Sequence, residues 1–267
     1  METYKLYDGE VTLAFDPGRH KYTVSDRHAG PKAILIDVPV DGVTGITGII
    51  DKSGPISGWA VKLTVGHFEK NLKPGVPLDE VEIKDLLEDA KRVHRITKQK
   101  AGDLGTMIHE WIEKYIKWEL EIKDSGEHTL KYIAEPKRPY NPKMRNAIDA
   151  FFKWRKEHKI EFYYSEKKVY SRKYRYAGTL DAEGTVDDHL SIIDFKSSNA
   201  IYPEMALQVA GYQQARQEET GIPYEERWIV RFGKDDGEFE AVKLLDFKKD
   251  IRAFLAAQKL QARIKEL

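Results

Sequence analysis

The sequence predicts an α+β fold. Apolar residues recur at helical spacing before residue 158, alternate with period two between 160 and 198, and return to helical spacing after 203. The three strand-like segments of the middle stretch follow one another across short turns, as a meander does. Helices before and after such a meander pack on a mixed sheet, and the order reads helix, three-strand meander, helix, strand.

Residues 10–50 read as β: "VTLAF" and "HKYTVS" flank "DPGR", a Pro-Gly turn. Residues 55–72 read as a helix and "KPGVP" (73–77) as a loop. A helical pattern then runs from Leu78 to about Leu120, with an interruption expected near "KAGD"; Leu104, Ile108, Trp111, Ile112 and Tyr115 mark its apolar face. The polar, Pro-containing stretch 123–142 reads as an extended excursion, and 143–158 as a helix carrying Ile148, Phe151, Phe152 and Trp154. Strands are expected at 160–170, 175–186 and 190–198, a helix at 203–219, a strand at 227–232 and a closing helix at the C-terminus. Residues 1–100 are expected as an N-terminal β-hairpin and helical region packed on a core of 101–267, the two forming one unit.

The 267 residues hold 44 Lys plus Arg and 44 Asp plus Glu, so there is no net charge to drive a histone-like electrostatic coat. No Cys is present, which excludes disulfides and thiolate metal sites; any metal falls to Asp, Glu, His or carbonyl oxygen, the donors of hard ions. The first residues, "METYKLYDGEV", lack a signal-peptide pattern and no apolar run approaches ~18 residues, so a cytoplasmic protein with no membrane partner is expected.

The chemistry concentrates in "YAGTLDAEGTVDDHLSIIDFKSS", Tyr176 to Ser198. Asp194 and Lys196 share a strand face. If the turn centres on Asp187 and Asp188, Val186 faces His189 and Asp181 falls opposite Asp194, with Cβ atoms ~4.5–5.5 Å apart. A turn centred on Arg172 and Lys173 places Glu166 opposite Thr179, on the face of Asp181. Acids so gathered repel unless positive charge sits among them. Lys196 supplies one charge, and a divalent cation, Mg²⁺ or Mn²⁺, supplies the rest. That chemistry is hydrolysis of a phosphodiester. A solvated strand face with a cross-strand salt bridge explains a lone Asp-x-Lys equally well.

Four motifs stand in order: "GTMIH" (Gly105 to His109), "GTLD" (Gly178 to Asp181), "DFK" (Asp194 to Lys196) and "QVAGY" (Gln208 to Tyr212). Together they resemble the PD-(D/E)XK nuclease superfamily, in particular its RecB-like branch, over roughly residues 101–232. The resemblance implies a restriction-endonuclease-like core, with the N-terminal β and helical segments and the C-terminal helix as additions. It implies His109, Asp181, Asp194 and the Phe195 carbonyl as ligands of one or two Mg²⁺ or Mn²⁺ ions, Lys196 as the catalytic lysine, and Gln208 and Tyr212 as holders of the network and of substrate phosphate. Glu166 is a further candidate ligand; Glu110 and Glu113 are expected in solvent or in ion pairs. The implied activity is DNA hydrolysis by an exonuclease in recombination, repair or phage DNA processing. A single-strand-annealing or recombination partner and an oligomer accord with it. The alternatives are a structure-specific or RNA-directed endonuclease, a non-catalytic nucleic-acid-binding protein on the same fold, and an assembly component with an incidental acidic cluster.

Three basic clusters are candidates for the nucleic-acid path: Arg172, Lys173 and Arg175 at a hairpin tip; Lys137 and Arg138; and the helix bearing Lys91, Arg92, Arg95, Lys98 and Lys100. Trp59, Tyr140 and Tyr174 are candidates for base stacking. A solvated helix face accounts for the third cluster equally well.

Overall fold

The Asp187-Asp188 turn sets the register of the central hairpin. Both residues adopt positive φ, 51° and 68°, as a two-residue hairpin turn with the twist of its strands requires. It joins β6 (Tyr176–Val186) to β7 (His189–Lys196), with Val186 opposite His189 and Ala182 opposite Ile193, the register expected from the sequence. These strands come from a computed structural model that describes residues 1–28, 35–125 and 134–267. The chain forms two units, residues 1–49 with 108–267, and residues 50–107.

In the first unit, β1 (Glu2–Leu6), β2 (Val11–Asp16), β3 (Lys21–Asp26) and β4 (Leu35–Gly42) pair antiparallel in sequence order. β1 lies outside the β region expected from the sequence. Within that region residues 29–34 are outside the described residues, and Val43–Thr47 form a short helix, α1, instead of strand. Its β-branched residues would favour a strand, but Val43, Ile46 and Thr47 are buried, and packing overrides propensity. α4 (Pro142–Glu157) starts at Asn141, whose side chain accepts hydrogen bonds from the Lys143 and Met144 amides at 3.0 and 3.2 Å. β5 (Ile160–Ser171) precedes the central hairpin; α5 (Pro203–Thr220), β8 (Glu226–Phe232), β9 (Phe239–Leu244) and α6 (Phe247–Glu266) follow it. β9 escaped the sequence reading because "FEAVKL" lacks clean alternation.

The second unit contains α2 (Ser53–Asn71) and the first part of α3 (Glu80–Ser125), which continues into the first unit. α3 runs unbroken through "KAGD", where an interruption was expected. A methyl group at Gly102 would meet nothing within 4 Å, and one Gly inside a long helix costs only ~1 kcal/mol. Of the expected excursion at 123–142, residues 123–125 belong to α3, 134–141 are neither helix nor strand, and 126–133 lie outside the described residues.

The first unit's mixed sheet has nine strands in the order β1-β2-β3-β4-β6-β7-β8-β9, with β5 also paired to β6. One layer is the C-terminal part of α3 with α4: Tyr115 meets Phe151 and Phe152, and Phe151 and Trp154 meet Phe195 of β7. The other layer is α1, α5 and α6, whose Ile46, Val209, Tyr212 and Phe254 share a core with Tyr176, Leu180 and Ile192 of the sheet. Among the described residues no helix is long and apolar enough to cross a membrane.

The topology opens a gap. β5 pairs along one edge of β6 from Tyr176 to Val186. The other edge is shared: β4 runs parallel to it at Tyr176 and Ala177, and β7 antiparallel to it from Ala182 onward. Gly178 to Asp181 therefore lie at a fork between two diverging strands, where side chains from both helical layers can reach the sheet.

Candidate active site

Asp181 stands at that fork. Where the β6–β7 ladder stops, its Oδ2 accepts the Phe195 N–H at 2.7 Å, so a side chain takes over from a ladder bond. This contact fixes the carboxylate beside the backbone of the Asp-Phe-Lys segment. Asp194, one step past the last ladder pair, is 1% exposed, and Lys196 forms an ion pair with its Oδ2. The other oxygen of Asp194, Oδ1, is buried without a hydrogen-bond partner. From the helical layer, His109 of α3 brings Nδ1 to 3.8 Å from Asp181 Oδ2.

The electrostatics follow from burial. Burial pushes the Asp194 carboxyl up to about 6, with Asp181 adding repulsion and Lys196 opposing both. Asp181 is raised too, by burial, against the pull of Lys196 and the Phe195 N–H. Lys196 is held above its ordinary value because Asp194 and Asp181 outweigh its own burial. His109 falls to about 4, through burial and the Lys196 charge, and is a neutral imidazole at pH 7. At neutral pH the centre therefore holds a cationic lysine, a neutral histidine and two carboxylates strained by burial.

Tyr212 enters from α5. Its hydroxyl accepts a hydrogen bond from Gln208 Nε2 at 2.8 Å, across one helical turn. Burial and the nearby charges of Asp194 and Asp181 raise its pKa, so the phenol keeps its proton. Gly178 makes room for that ring: a Cβ there would lie 2.6 Å from Tyr212 Cε1 and 3.1 Å from Val43 Cγ2. Gly178→Ala is expected to displace the ring at a cost of ~1–3 kcal/mol, lowering the melting temperature by roughly 2–10 °C. Thermal melts check this; an unchanged melting temperature would show that the ring moves aside freely.

Glu166 meets the site by a different register from the one expected. Lys168 lies opposite Thr179 and Lys167 opposite Leu180, two residues away from the expected alignment, so Glu166 falls level with Asp181 instead of Thr179. The turn spans Arg172 to Arg175, with Arg175 at φ 55°. Glu218 of α5 pins it, accepting the Ser171 hydroxyl and the Lys173 N–H. Glu166 adopts φ 53°, a conformation costly for a non-glycine residue, and is carried up to about 8 by burial and by Asp181. Lys168, buried against the Phe15 and Tyr4 rings, reaches to 3.9 Å from the Glu166 carboxylate. Glu113 pairs with Lys117, as an ion-paired helix residue does.

Arg172 is committed elsewhere. Its guanidinium donates two bonds of 3.0 Å to the fully buried Asp26, lies 2.8 Å from Glu10 and stacks 4.4 Å from the Tyr7 ring. It anchors the hairpin tip to β3. The Lys173 ammonium lies over the Tyr174 ring, and Arg138 pairs with Asp149. Two contributors had no signal in the sequence. Tyr22 of β3 shares a 2.9 Å hydrogen bond with Thr179, inside the Gly-Thr-Leu-Asp segment. Glu204, near the start of α5, adds negative charge near Lys196.

The donor set suits a hard cation: two carboxylates, one of them with a buried oxygen, Asp194 Oδ1, that has no partner, and a neutral imidazole. As arranged, no three His, Asp or Glu side chains among the described residues close into a ligand cage. The Lys196 ammonium stands against Asp194 instead.

No family model and no curated protein matches the sequence. Among solved structures, the chain is similar to an alkaline exonuclease from Laribacter hongkongensis, at 15% identity and TM-score 0.27, over 44% of this chain and 69% of that one. The same exonuclease in complex with dAMP aligns at 14% identity and TM-score 0.32, over 85% and 90%. A protein from Eubacterium rectale, assigned by inference as an exonuclease, aligns at 10% identity and TM-score 0.39, over 61% and 68%.

Proposed function

We propose that the protein hydrolyses DNA phosphodiester bonds with Mg²⁺ or Mn²⁺, as an exonuclease of RecB-like type. The observation that carries this reading is the meeting of His109, Asp181, Asp194 and Lys196 at the fork in the sheet, with Gln208 and Tyr212 beside them. Asp181, Asp194, His109 and the Phe195 carbonyl would hold the ion, with Glu166 as a further carboxylate. A bound ion supplies charge to polarise a phosphoryl oxygen and lowers the pKa of a water.

The chain's own groups do the rest. The Phe195 N–H holds Asp181 in one orientation. His109, being neutral, offers a nitrogen lone pair. Lys196 stays protonated, so it orients water as a donor and offsets negative charge developing on the phosphate; it does not act as a base. Tyr212 accepts from Gln208 and keeps its own proton to donate to a phosphate oxygen.

The test is digestion of end-labelled linear, nicked and closed circular DNA with Mn²⁺, Mg²⁺, Ca²⁺ or excess chelator. Linear DNA is expected to be degraded from its ends with Mn²⁺ or Mg²⁺, circular DNA to be spared, and Ca²⁺ to support little turnover. Undiminished cleavage in chelator would sink the metal mechanism. Cutting of closed circles would select the endonuclease reading, and binding without cleavage the non-catalytic one.

A further inference from the structure

Residues 134–141, which lead into α4, are neither helix nor strand, yet their backbone is tied down. The Trp111 indole on α3 donates to the Lys137 carbonyl at 2.9 Å, and the Arg145 guanidinium on α4 donates to the Tyr140 carbonyl at 3.1 Å. Asn141 caps α4, so the residue after Tyr140 is fixed as well. Pro136, Pro139 and Pro142 stiffen the stretch, since each locks its own φ and biases the residue before it to extended backbone.

On this stiff backbone Tyr140 is 97% exposed, whereas the other exposed tyrosines, Tyr164 and Tyr202, are 43% exposed each. Among the described residues its side chain has no hydrogen bond and no ring contact. A lone exposed tyrosine is ordinary on a protein surface. A ring that touches nothing while its backbone is held on both sides is an aromatic anchor with little entropy left to lose on binding.

Charge indicates what the ring meets. Residues 135–145 carry four Lys or Arg and one acid, in a chain that is neutral overall. Arg138 pairs with Asp149, Lys143 pairs with Asp235, and Arg145 is engaged by the Tyr140 carbonyl. Lys137 is exposed, lies three residues from Tyr140, and has no ion pair among the described residues. An open cation beside an open ring suits an unpaired strand, whose bases offer a flat face and whose phosphates offer charge. A duplex keeps those faces stacked and out of reach.

We propose that Tyr140 stacks on a base of a single nucleic-acid strand and that Lys137 contacts one of its phosphates. This platform rests on the nuclease reading and deepens it, by adding a strand contact on residues other than the catalytic ones.

The experiment measures anisotropy of a labelled 20-mer of thymidylate, in chelator, against salt concentration. Tyr140→Ala is expected to weaken binding ~5–150-fold, the worth of one stacked base, without changing the salt slope. Tyr140→Phe, which keeps the ring, is expected to bind within about twofold of wild type. Lys137→Gln is expected to lower the log–log salt slope by ~0.7, and an unaltered slope removes Lys137 from the platform. On a 20-mer of the same backbone without bases, Tyr140→Ala and wild type are expected to bind alike. An equal loss on both strands would mean that the substitution loosens the loop, and overturns the stack. Cleavage of linear DNA by wild type with Mn²⁺ is followed in parallel. Cleavage by wild type together with equal thymidylate affinity for wild type and Tyr140→Ala overturns the platform and leaves the nuclease reading standing. The expected binding losses without cleavage would support the platform and overturn the nuclease reading. A wild type that neither binds nor cleaves overturns both.

Discussion

Lys196→Ala is expected to lower the single-turnover rate of DNA cleavage by ~10²–10⁴ while leaving DNA affinity within about twofold. The ammonium pairs with Asp194, and the charges of Asp194 and Asp181 hold it protonated against its burial, so its charge is set before substrate arrives. Its interaction strengthens only as negative charge gathers on the phosphate, and a group of that kind costs rate and not binding when removed. Lys196→Met keeps most of the buried stem and is expected to lose as much rate as Ala, which separates charge from packing. Rates at saturating DNA and equilibrium binding in Ca²⁺ check both. A fall in affinity that accounts for the whole loss would make Lys196 a phosphate anchor instead.

The parts of this site legible in the sequence are those fixed by short-range rules. Asp181 and Asp194 could be aligned because the turn between them consists of two residues, Asp187 and Asp188, that both take positive φ. Gln208 and Tyr212 could be paired because one helical turn separates them. Glu166 could not be placed by the same arithmetic. Its register depends on Glu218, from a helix more than forty residues later, capturing the Ser171 hydroxyl and the Lys173 amide. The error was of two residues, which kept Glu166 on the expected face and carried it level with Asp181. The partner of Arg172 at the hairpin tip was hidden for a related reason. A cluster of Arg and Lys looks the same whether it faces phosphate or a buried carboxylate, and Asp26, 146 residues from Arg172 in the chain, decides the matter. The fork in the sheet was invisible, since it arises from β4 and β7 sharing one edge of β6, and the parallel β4–β6 contact has no local signature.

Asp194→Asn is expected to abolish cleavage, to raise the melting temperature in chelator, and to lose most of the stabilisation given by Mn²⁺. The carboxyl is buried and its pKa in the folded chain is about 6, above the ~3.9 of an unfolded aspartate. The folded state thus holds this proton more tightly than the unfolded state. The stability linked to it is greatest at low pH, falls as pH rises from about 4 to 6, and stays low above that. At pH 7 the ionised Asp194 costs the metal-free fold on the order of 2 kcal/mol, discounted for its coupling to Lys196 and Asp181. Asparagine keeps the shape without the charge, so the variant should melt higher in chelator and should lack the part of the fall between pH 4 and 6 that Asp194 contributes. With the ion the order reverses: at a hundred times its Kd, Mn²⁺ adds ~2.7 kcal/mol to a chain that binds it. The wild type should gain that stabilisation and the variant little of it, since an amide oxygen carries no charge to offer the ion. Melting curves with and without Mn²⁺ at pH 4, 5, 6 and 7 measure all three effects. Equal stabilisation of the two proteins by Mn²⁺ would remove Asp194 from the ligand set, and a lower melting temperature for the variant in chelator would mean that the Asp194–Lys196 pair supports the fold more than its burial strains it.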